Sequence, residues 1–562
     1  MCGIFGLIKN NEDKEYNNEE IEIKMIRNIK HRGPDASIII DIALDTNNNY
    51  YKMGFHRLSI VDKTFKGMQP FKYITNDRSI YVMCNGEIYN HTDLRTIINS
   101  NKNYHFESQS DCEVILPLYL MYGLDFVNML EGDFAISIFD ISTNNKKLHI
   151  IKDRIGFKSL HYFYDKTKNI FAFCSEQKGL MFDENIPVIN FEPSTILTID
   201  FTHNIKMEAM KYYNIGFKRI LSDNIDNIMK NIKNIFIEAL RVRIPTDTVF
   251  EFLLSGGLDS SLTFSVGLEI CLEKNINEVI VNTIGMEGAT DIPYAIMVVN
   301  YCRSKYPTIN IIHNIIHVTK EECIEEYKTI PYVTESFDVT TNRASTQQKL
   351  CMKKIKERNP NIKIIIVGDF SDEVCSGYLY FHKAPNHLES HQENIKLCNE
   401  NYLYDLTRVE KCCSYYSIEP RSPFTCYKFY EYYLSIPPEF RSCMNSIEKA
   451  LLRNSFEGYL PHEILYRQKE AFSDGCSSTE KSWFQIIREF TETLYTDDEF
   501  KNKINKYNNY LKPIDKESLF IHEVYDNFYP NQYHTLQNYW TTKWTNNNVI
   551  SARELDIYNN DN

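Results

Sequence analysis

Several features that would mark other classes of protein are missing from this sequence. Its 562 residues carry a formal net charge of −13, whereas nucleic-acid-binding proteins present basic faces. The 15 cysteines contain no metal-type CxxC pair and no spacing that suggests a disulfide framework, which is typical of reduced thiols in an intracellular protein. No apolar run approaches the roughly 20 residues of a membrane-spanning helix, and no secretory signal is evident. We therefore expect a cytoplasmic protein with no nucleic-acid or membrane partner.

Length and strand pattern indicate two domains. A chain of 562 residues exceeds what one hydrophobic core usually fills. Residues 1–190 contain short alternating strands separated by turns, which favours antiparallel sheets. Residues 191–214, with Pro193, are interpreted as a linker. In residues 215–545 apolar strands alternate with helical segments, which predicts a parallel α/β sheet with a helical cap, and residues 546–562 form a polar tail.

The sharpest motif is FLLSGGLDSSL at residues 252–262. Gly256 and Gly257 allow backbone N–H groups to approach an oxyanion, and a helix predicted to start near Asp259 adds partial positive charge. The Walker pattern GxxxxGK[ST] is absent. The motif instead resembles the pyrophosphate loop of ATP pyrophosphatases, which split ATP to AMP and pyrophosphate while they adenylate a substrate.

A second candidate site begins with the cysteine directly behind the initiator methionine. An α-amino group has a pKa of about 7.7–8.0 and a free thiol one of about 8.5, so after methionine removal the amine of Cys2 can accept the thiol proton. A cysteine that attacks a carboxamide also needs oxyanion donors and a hold on its substrate. Asn85 and Gly86 are candidate donors. Arg57 can hold a carboxylate in bidentate fashion, and Asp111 can hold an ammonium group.

Together these motifs resemble those of the glutamine-hydrolysing asparagine synthetases along nearly the whole chain. Residues 1–190 are similar to class II, N-terminal-nucleophile glutaminase domains through MCGIFG, HRGPD, RLSIVD, NGEIYN and SDCEVI. Residues 215–545 are similar to the ATP-binding synthetase domain through SGGLDSS, ESFDVTTNRAS, SDEVCSGYLYFHKAPN, EPRSPF and RQKEAFSDG. The resemblance implies an α+β N-terminal-nucleophile sandwich, with antiparallel sheets between helices, followed by an α/β parallel-sheet ATP pyrophosphatase domain.

For the first half, the resemblance implies a site that hydrolyses glutamine. In relatives the residue at Cys2 attacks the side-chain amide, and those at Asn85 and Gly86 stabilise the oxyanion. Arg57 is expected to take the glutamine carboxylate. The remaining glutamine-binding positions are Leu58, Ser59, Ile60, Val61, Glu87 and Asp111. Ammonia released there is expected to pass through the protein interior to the second site.

For the second half, the resemblance implies that ATP activates aspartate as β-aspartyl-AMP, which ammonia converts to asparagine. Mg²⁺ is the implied cofactor, with Asp259 and Asp372 as its ligands, and Thr341 and Arg343 are the implied aspartate-binding residues. By analogy with relatives, a homodimer is expected. The positions assigned to ATP are Leu253, Ser255, Gly256, Gly257, Asp259, Ser260, Ile284, Val367, Gly368, Lys449 and Lys469.

One loop departs from the family pattern. Where relatives have Ser-Gly-Glu-Gly-Ser-Asp-Glu, this chain has VGDFSDE at residues 367–373. Asp369 therefore replaces a glutamate expected to be catalytic, and Phe370 replaces a glycine. The lost methylene shortens the reach of the acid by about 1.5 Å, and a misplacement of about 1 Å can cost roughly 100-fold in rate. Two alternatives stay open: a related adenylating amidotransferase with another carboxylate substrate, and a relict in which synthesis is impaired.

Overall fold

The chain folds into two compact units. The computed structural model describes residues 1–10, 18–43, 49–101, 104–216, 223–444 and 446–545. The first unit comprises residues 1–214, 414–418 and 526–535. The second comprises residues 215–413, 419–525 and the chain from residue 536 onward.

The first unit contains two six-stranded sheets in which the paired strands are antiparallel. Its strands are β1 (Gly3–Asn10), β2 (Ala36–Ala43), β3 (Asn49–Arg57), β4 (Phe71–Ile74), β5 (Arg78–Ile88), β6 (Gly132–Ser142), β7 (Asn145–Lys152), β8 (His161–Asp165), β9 (Ile170–Cys174), β10 (Val188–Asn190), β11 (Thr195–Asp200) and β12 (Lys206–Lys211). Its helices are α1 (Asn18–Asn28), α2 (His91–Asn101) and α3 (Ile115–Tyr122). The strand orders are β10-β8-β9-β1-β3-β2 and β12-β11-β7-β6-β5-β4.

Hydrophobic side chains hold these sheets and helices in layers. One core cluster lies between the sheets and joins Phe55 of β3 to Met83 of β5. A second covers the other face of the second sheet with Leu116 of α3, and a third covers the first sheet with Met25 of α1. The predicted sandwich of antiparallel sheets between helices is confirmed.

The stretch interpreted as a linker contributes to the second sheet. Within residues 191–214, β11 pairs with β7 and β12 pairs with β11. Ile196 and Ile199 of β11 are buried, so the apolar pattern TILTID belongs to a strand that covers the core. The prolines around it obscured that pattern in the sequence.

One helical run in this unit is unusually apolar. Asp111–Met129, which includes α3, is long and apolar enough by length and composition alone to cross a membrane, and about half of it is buried. Leu116 and Phe126 of this run belong to the core beside the second sheet. Buried core helices meet the same criterion, and acidic residues such as Glu113 interrupt the run in the sequence.

The second unit contains a five-stranded parallel sheet, as predicted. Its order is β15-β14-β13-β16-β17, formed by β13 (Phe250–Leu253), β14 (Glu278–Gly285), β15 (Asn310–His317), β16 (Ile364–Ile366) and β17 (Glu419–Arg421). The helices that begin in this unit are α4 (Ile225–Arg241), α5 (Leu258–Glu273), α6 (Asp291–Lys305), α7 (Lys320–Tyr327), α8 (Ile330–Thr334), α9 (Val339–Arg358), α10 (Ser371–Val374), α11 (His387–Glu400), α12 (Asp405–Ser414), α13 (Tyr427–Ser435), α14 (Pro438–Arg441), α15 (Ala450–Ser455), α16 (His462–Leu465), α17 (Phe472–Gly475), α18 (Trp483–Glu492), α19 (Asp497–Lys503) and α20 (Lys516–Phe528).

Candidate active sites

The Cys2 thiol lies at the start of β1, against the core between the two sheets. The backbone N–H of Leu58 donates to its Sγ over 3.5 Å, and the Arg32 side chain donates to the Cys2 carbonyl oxygen over 3.0 Å. Met1 is buried. The nucleophile candidate is therefore held by contacts to its side chain and to its backbone.

The Asn85 side chain is buried without a hydrogen bond. Neither its Oδ1 nor its Nδ2 has a partner among the described residues. Because side chains alternate along a strand, Asn85 faces the same side of β5 as Met83, which lies in the core that Cys2 also contacts. An unpaired buried amide lowers the stability of the fold by about 1–3 kcal/mol. We therefore infer that the Asn85 side chain serves to bind a polar partner.

Gly86 and Glu87 follow on the same strand. A Cβ on Gly86 would lie 2.2 Å from the carbonyl oxygen of Asp133 on β6, so no other residue fits at this position. Glu87 is buried and shares the strand face of Asn85. The NGE sequence thus brings an amide and a carboxylate to one face of β5.

Arg57 ends β3 and is held by the loop that follows it. Its Nη1 donates to the Thr64 carbonyl over 2.6 Å, and its Nη2 donates to the Asp62 carbonyl. The Asp62 carboxylate in turn accepts from the Gln109 N–H over 2.9 Å. Burial would raise the pKa of Asp62, but hydrogen bonds from Thr64 and Gln109 hold it below its ordinary value. The loop after Arg57 is thereby joined to the loop before Asp111.

Asp111 is buried and accepts from the Ile88 N–H over 2.7 Å at the end of β5. In the loop after Arg57, Leu58 and Ile60 are buried, whereas Ser59 and Val61 are half-buried. The residues that the sequence assigns to glutamine thus occur at the end of β3, at the end of β5 and in the two segments joined through Asp62.

The second unit contains a cavity at the carboxyl ends of its parallel strands, where ligands of open α/β sheets usually bind. Leu253 ends β13, Ile284 belongs to β14 and Val367 follows β16, and all three line the cavity. The other lining residues among those assigned to ATP are Ser255, Gly257, Asp259, Ser260, Gly368, Lys449 and Lys469. Gly256 does not line it.

The phosphate loop connects β13 to α5. Gly256 has a φ of +79°, and a Cβ there would lie 2.5 Å from the backbone nitrogen of Ala295. The Ser255 N–H donates to the Ser260 Oγ over 3.1 Å, which closes the turn onto the first turn of the helix. α5 begins at Leu258, next to the predicted start at Asp259.

Two lysines and two aspartates form an ionic cluster in the cavity. Lys449 Nζ lies 2.6 Å from Asp259 Oδ1 and 2.7 Å from Asp372 Oδ1. Lys469 Nζ lies 2.6 Å from Asp372 Oδ2. Burial would raise the pKa of Asp372, but the two ammonium groups hold it well below its ordinary value. The sequence predicted these four residues as ATP or metal ligands, and the structure brings them together.

Ser371 and Gly377 support this cluster and were not identified from the sequence. Ser371 Oγ donates to Asp259 Oδ1 over 2.8 Å. A Cβ on Gly377 would lie 2.0 Å from Asp372 Oδ1 and 2.1 Å from Lys449 Cε. In the sequence, only their position within the SDEVCSG motif points to these two residues, because their contacts join segments that are distant in the chain.

Asp369 and Phe370 line the same cavity. Arg408 Nη2 donates to Asp369 Oδ1 over 2.7 Å. Burial raises the pKa of Asp369, an effect that the Arg408 charge opposes without cancelling it. Phe370 has a φ of +77°, a conformation that costs a residue with a side chain about 1–2 kcal/mol. Its buried ring lies 5.9 Å from that of Tyr430.

The two residues assigned to aspartate are placed differently. Arg343 lines the cavity, but its Nε donates to Glu517 Oε1 over 2.7 Å and its Nη2 donates to the other carboxylate oxygen. Thr341 is not among the residues that line the cavity. Its backbone N–H donates to the carboxylate of Asp338, which caps the N-terminus of α9. Arg343 is therefore already paired in this structure, and Arg408 and Arg467 are further cations in the cavity wall.

An N-terminal thiol on an antiparallel sandwich, joined to a parallel sheet with a phosphate loop, is the arrangement of an ATP-dependent amidotransferase. Comparisons with known proteins agree. The glutamine amidotransferase domain family matches residues 1–217, and the asparagine synthase family matches residues 231–401 and 389–553. The chain belongs to the glutamine-hydrolysing asparagine synthetase family.

Individual relatives match over their full length. The probable asparagine synthetase [glutamine-hydrolyzing] of Acanthamoeba polyphaga mimivirus is 33% identical over 581 residues, which cover 99% of this chain and 100% of the relative. The asparagine synthetase [glutamine-hydrolyzing] of Mesocricetus auratus is 35% identical over 584 residues, which cover 99% of each chain. Among solved structures, the glutamine phosphoribosylpyrophosphate amidotransferase from B. subtilis complexed with ADP and GMP matches with a TM-score of 0.32 and 15% identity, covering 56% of this chain and 81% of that chain.

Proposed function

We propose that this protein makes L-asparagine from L-aspartate, ATP and the amide nitrogen of L-glutamine, and releases glutamate, AMP and pyrophosphate. The observation that carries the proposal is one cavity lined by the phosphate loop, the Lys449 cluster and Asp369, in a chain that matches asparagine synthetases over 99% of its length.

The first half reaction is the hydrolysis of glutamine. After removal of Met1, the amine of Cys2 takes the thiol proton, and Sγ attacks the side-chain carbonyl carbon of glutamine. The unpaired amide of Asn85 and the N–H of Gly86 stabilise the oxyanion. Arg57 holds the glutamine carboxylate, and Asp111 and Glu87 face its ammonium group. Ammonia leaves, and water then hydrolyses the thioester to give glutamate.

The second half reaction is the adenylation and amidation of aspartate. The β-carboxylate attacks the α-phosphorus of ATP, so that a carboxyl–phosphate bond forms as the bond to pyrophosphate breaks. Lys449 and Lys469 balance the charge on the departing pyrophosphate. Ammonia then attacks the activated carbonyl and AMP leaves. We assign Asp369, which lines the cavity, to the reacting carboxyl. We assign Arg343 to the aspartate carboxylates, which would take the place of Glu517.

Mg²⁺ fits this cavity. The carboxylates of Asp259 and Asp372 both approach the single ammonium group of Lys449 within 2.7 Å, so the two side chains already converge on one cation. No group of three or more His, Cys, Asp and Glu side chains suited to a metal occurs in the described part of the chain, and Mg²⁺ commonly uses one or two carboxylates plus substrate phosphates. When bound, the ion would neutralise phosphate charge. From the resemblance to the family, we also propose that the protein forms a homodimer and acts in the cytoplasm.

The test is asparagine production from aspartate and ATP, run once with glutamine and once with ammonium. The proposal expects asparagine, AMP and pyrophosphate in equal amounts under both conditions, with glutamate only under the first. Pyrophosphate release that responds to another carboxylic acid and not to aspartate would overturn the substrate assignment. If glutamate were released without AMP and an amidated acid, only the glutaminase part of the proposal would remain.

A further inference from the structure

The chain returns to the synthetase cavity near its C-terminal end. Residues 536–545, called here the C-terminal strap, follow α20 in the second unit. The backbone N–H of Trp540 donates to Asp338 Oδ1 over 2.7 Å, and the Tyr404 hydroxyl donates to the Asn538 carbonyl over 3.0 Å. The Tyr539 hydroxyl lies 3.4 Å from the ring nitrogens of His522. The strap is thus fixed by hydrogen bonds before and at Trp540.

Trp540 contacts the part of the cavity that contains Asp369. It lines the cavity, and its ring centroid lies 5.2 Å from that of Tyr378. The Tyr378 hydroxyl lies 3.2 Å from Asp405 Oδ2, and Arg408 joins Asp405 to Asp369 through contacts of 2.8 Å and 2.7 Å. The indole therefore covers a polar network that ends at the acid expected to act on the substrate.

A second tryptophan of the strap lies outside the cavity. Trp544 packs on Tyr380 and Phe381, with ring centroids 6.0 Å and 6.1 Å apart, and it is not among the lining residues. Its neighbour Lys543 pairs with Glu393 over 3.2 Å. Trp540 faces the site and is fixed by its own bond to Asp338 and by the bond from Tyr404 to Asn538. Lys543 and Trp544 hold only the part of the strap that follows it.

We propose that the C-terminal strap closes the synthetase cavity and that Trp540 shields the activated aspartate from water. This inference rests on the proposed function. An acyl adenylate is a mixed anhydride: water can add to its carbonyl carbon, the carbon–oxygen bond to the phosphate then breaks, and aspartate, AMP and a proton result. That reaction consumes ATP without product, and exclusion of water from a closed site prevents it. A large, half-buried indole that lines the cavity suits this role better than a polar side chain.

The test compares Trp540→Ala with Trp544→Ala, its matched control on the same strap. Ammonium supplies the nitrogen so that the glutaminase plays no part, and pyrophosphate and asparagine are measured together. We expect a ratio of pyrophosphate to asparagine near one for the unaltered chain and for Trp544→Ala, and a severalfold higher ratio for Trp540→Ala. Equal ratios in both variants would overturn the inference. Absence of asparagine from the unaltered chain would instead overturn the proposed function.

A second measurement covers the case in which Trp540→Ala does not fold. The Trp544→Phe variant keeps two tryptophans, of which Trp483 is fully buried, so acrylamide quenching of its fluorescence reports on Trp540. ATP and aspartate, added without a nitrogen source, should reduce quenching as the loaded cavity is covered. Unchanged quenching would contradict closure. The milder Trp540→Leu variant should raise the pyrophosphate ratio less than alanine does.

Discussion

Arg408 joins two acids of the synthetase cavity: its Nη2 donates to Asp369 over 2.7 Å and its Nε donates to Asp405 over 2.8 Å. Its Nη1 donates to Gln348, so the guanidinium is fixed on three sides. Arg408 thus orients the shorter acid at position 369. The Asp369 carboxylate is therefore held in one orientation despite the missing methylene. It still lies nearer its own backbone than the carboxylate of a glutamate would.

We predict that Asp369→Asn impairs synthesis and spares the glutaminase. The amide keeps the size of the side chain but removes the charge that Arg408 balances, and loss of an acid–base group typically costs about 100-fold or more. Asparagine formation from aspartate, ATP and ammonium measures the first effect, and glutamate release measures the second. Asp369→Glu is the matched control, because it keeps the charge and should leave synthesis intact or improve it. If the glutamate variant is inactive, the site is built around the shorter acid.

The sequence revealed those parts of the sites that are formed by neighbouring residues. SGGLDSS and NGE carry their chemistry within a few residues, and close backbone contacts require the glycine at Gly256 and at Gly86. The strand pattern also predicted both sheet types. Contacts between distant segments could not be predicted, because nothing local specifies them: Arg408 lies 39 residues from Asp369, and Trp540 lies 202 residues from Asp338.

The unpaired amide of Asn85 gives a second prediction. Asn85→Ala should lower glutamine hydrolysis by about 10²–10³-fold, the usual effect of losing one oxyanion donor, and leave ammonium-dependent synthesis unchanged. The amide is buried without a hydrogen bond among the described residues. Its removal relieves that cost but also loses packing, and because the two effects oppose each other, stability should change little. Asn90→Ala is the matched control: this amide donates to Met129 O and accepts from the Glu131 N–H, so its loss should lower the unfolding temperature instead. Unimpaired hydrolysis by Asn85→Ala would exclude the oxyanion role.

Removal of the Lys449 ammonium gives a third prediction. Lys449→Met should raise the KM for ATP about 10- to 100-fold, as expected for loss of a charge-assisted hydrogen bond worth about 1.5–3 kcal/mol. It also leaves Asp259 and Asp372 without the cation between them, so Mg²⁺ alone should raise the unfolding temperature of the variant more than that of the unaltered chain. Lys354→Met, at a partly exposed ion pair with Glu322 outside the cavity, should show neither effect. Equal responses to Mg²⁺ would argue against a metal site at the two aspartates.

Glu373 gives a prediction on pH. Burial, with the charges of Asp405 and Asp372, raises its pKa to about 8 from an ordinary value of 4.5. Between these values the folded chain keeps a proton that the unfolded chain has released, so the contribution of Glu373 to stability is complete below about pH 4.5 and is lost as the pH rises through about 8. Glu373→Gln cannot titrate. From about pH 6 to 8 the unaltered chain should therefore lose about 2 kcal/mol more stability than the variant. Parallel losses in urea unfolding would show that Glu373 is already ionised.

Phe370 tests whether strain or packing dominates in the altered loop. Phe370→Gly relieves the left-handed conformation, a gain of about 1–2 kcal/mol, but it removes a ring that is only 2% exposed. Loss of a buried phenylalanine side chain costs about 3–5 kcal/mol, so packing should win and the free energy of unfolding should fall by about 1–4 kcal/mol. Phe370→Ala separates the terms, since it loses the ring and keeps the strain. It should be less stable than Phe370→Gly; the reverse order would show that φ at this position changes freely and that the loop is not strained.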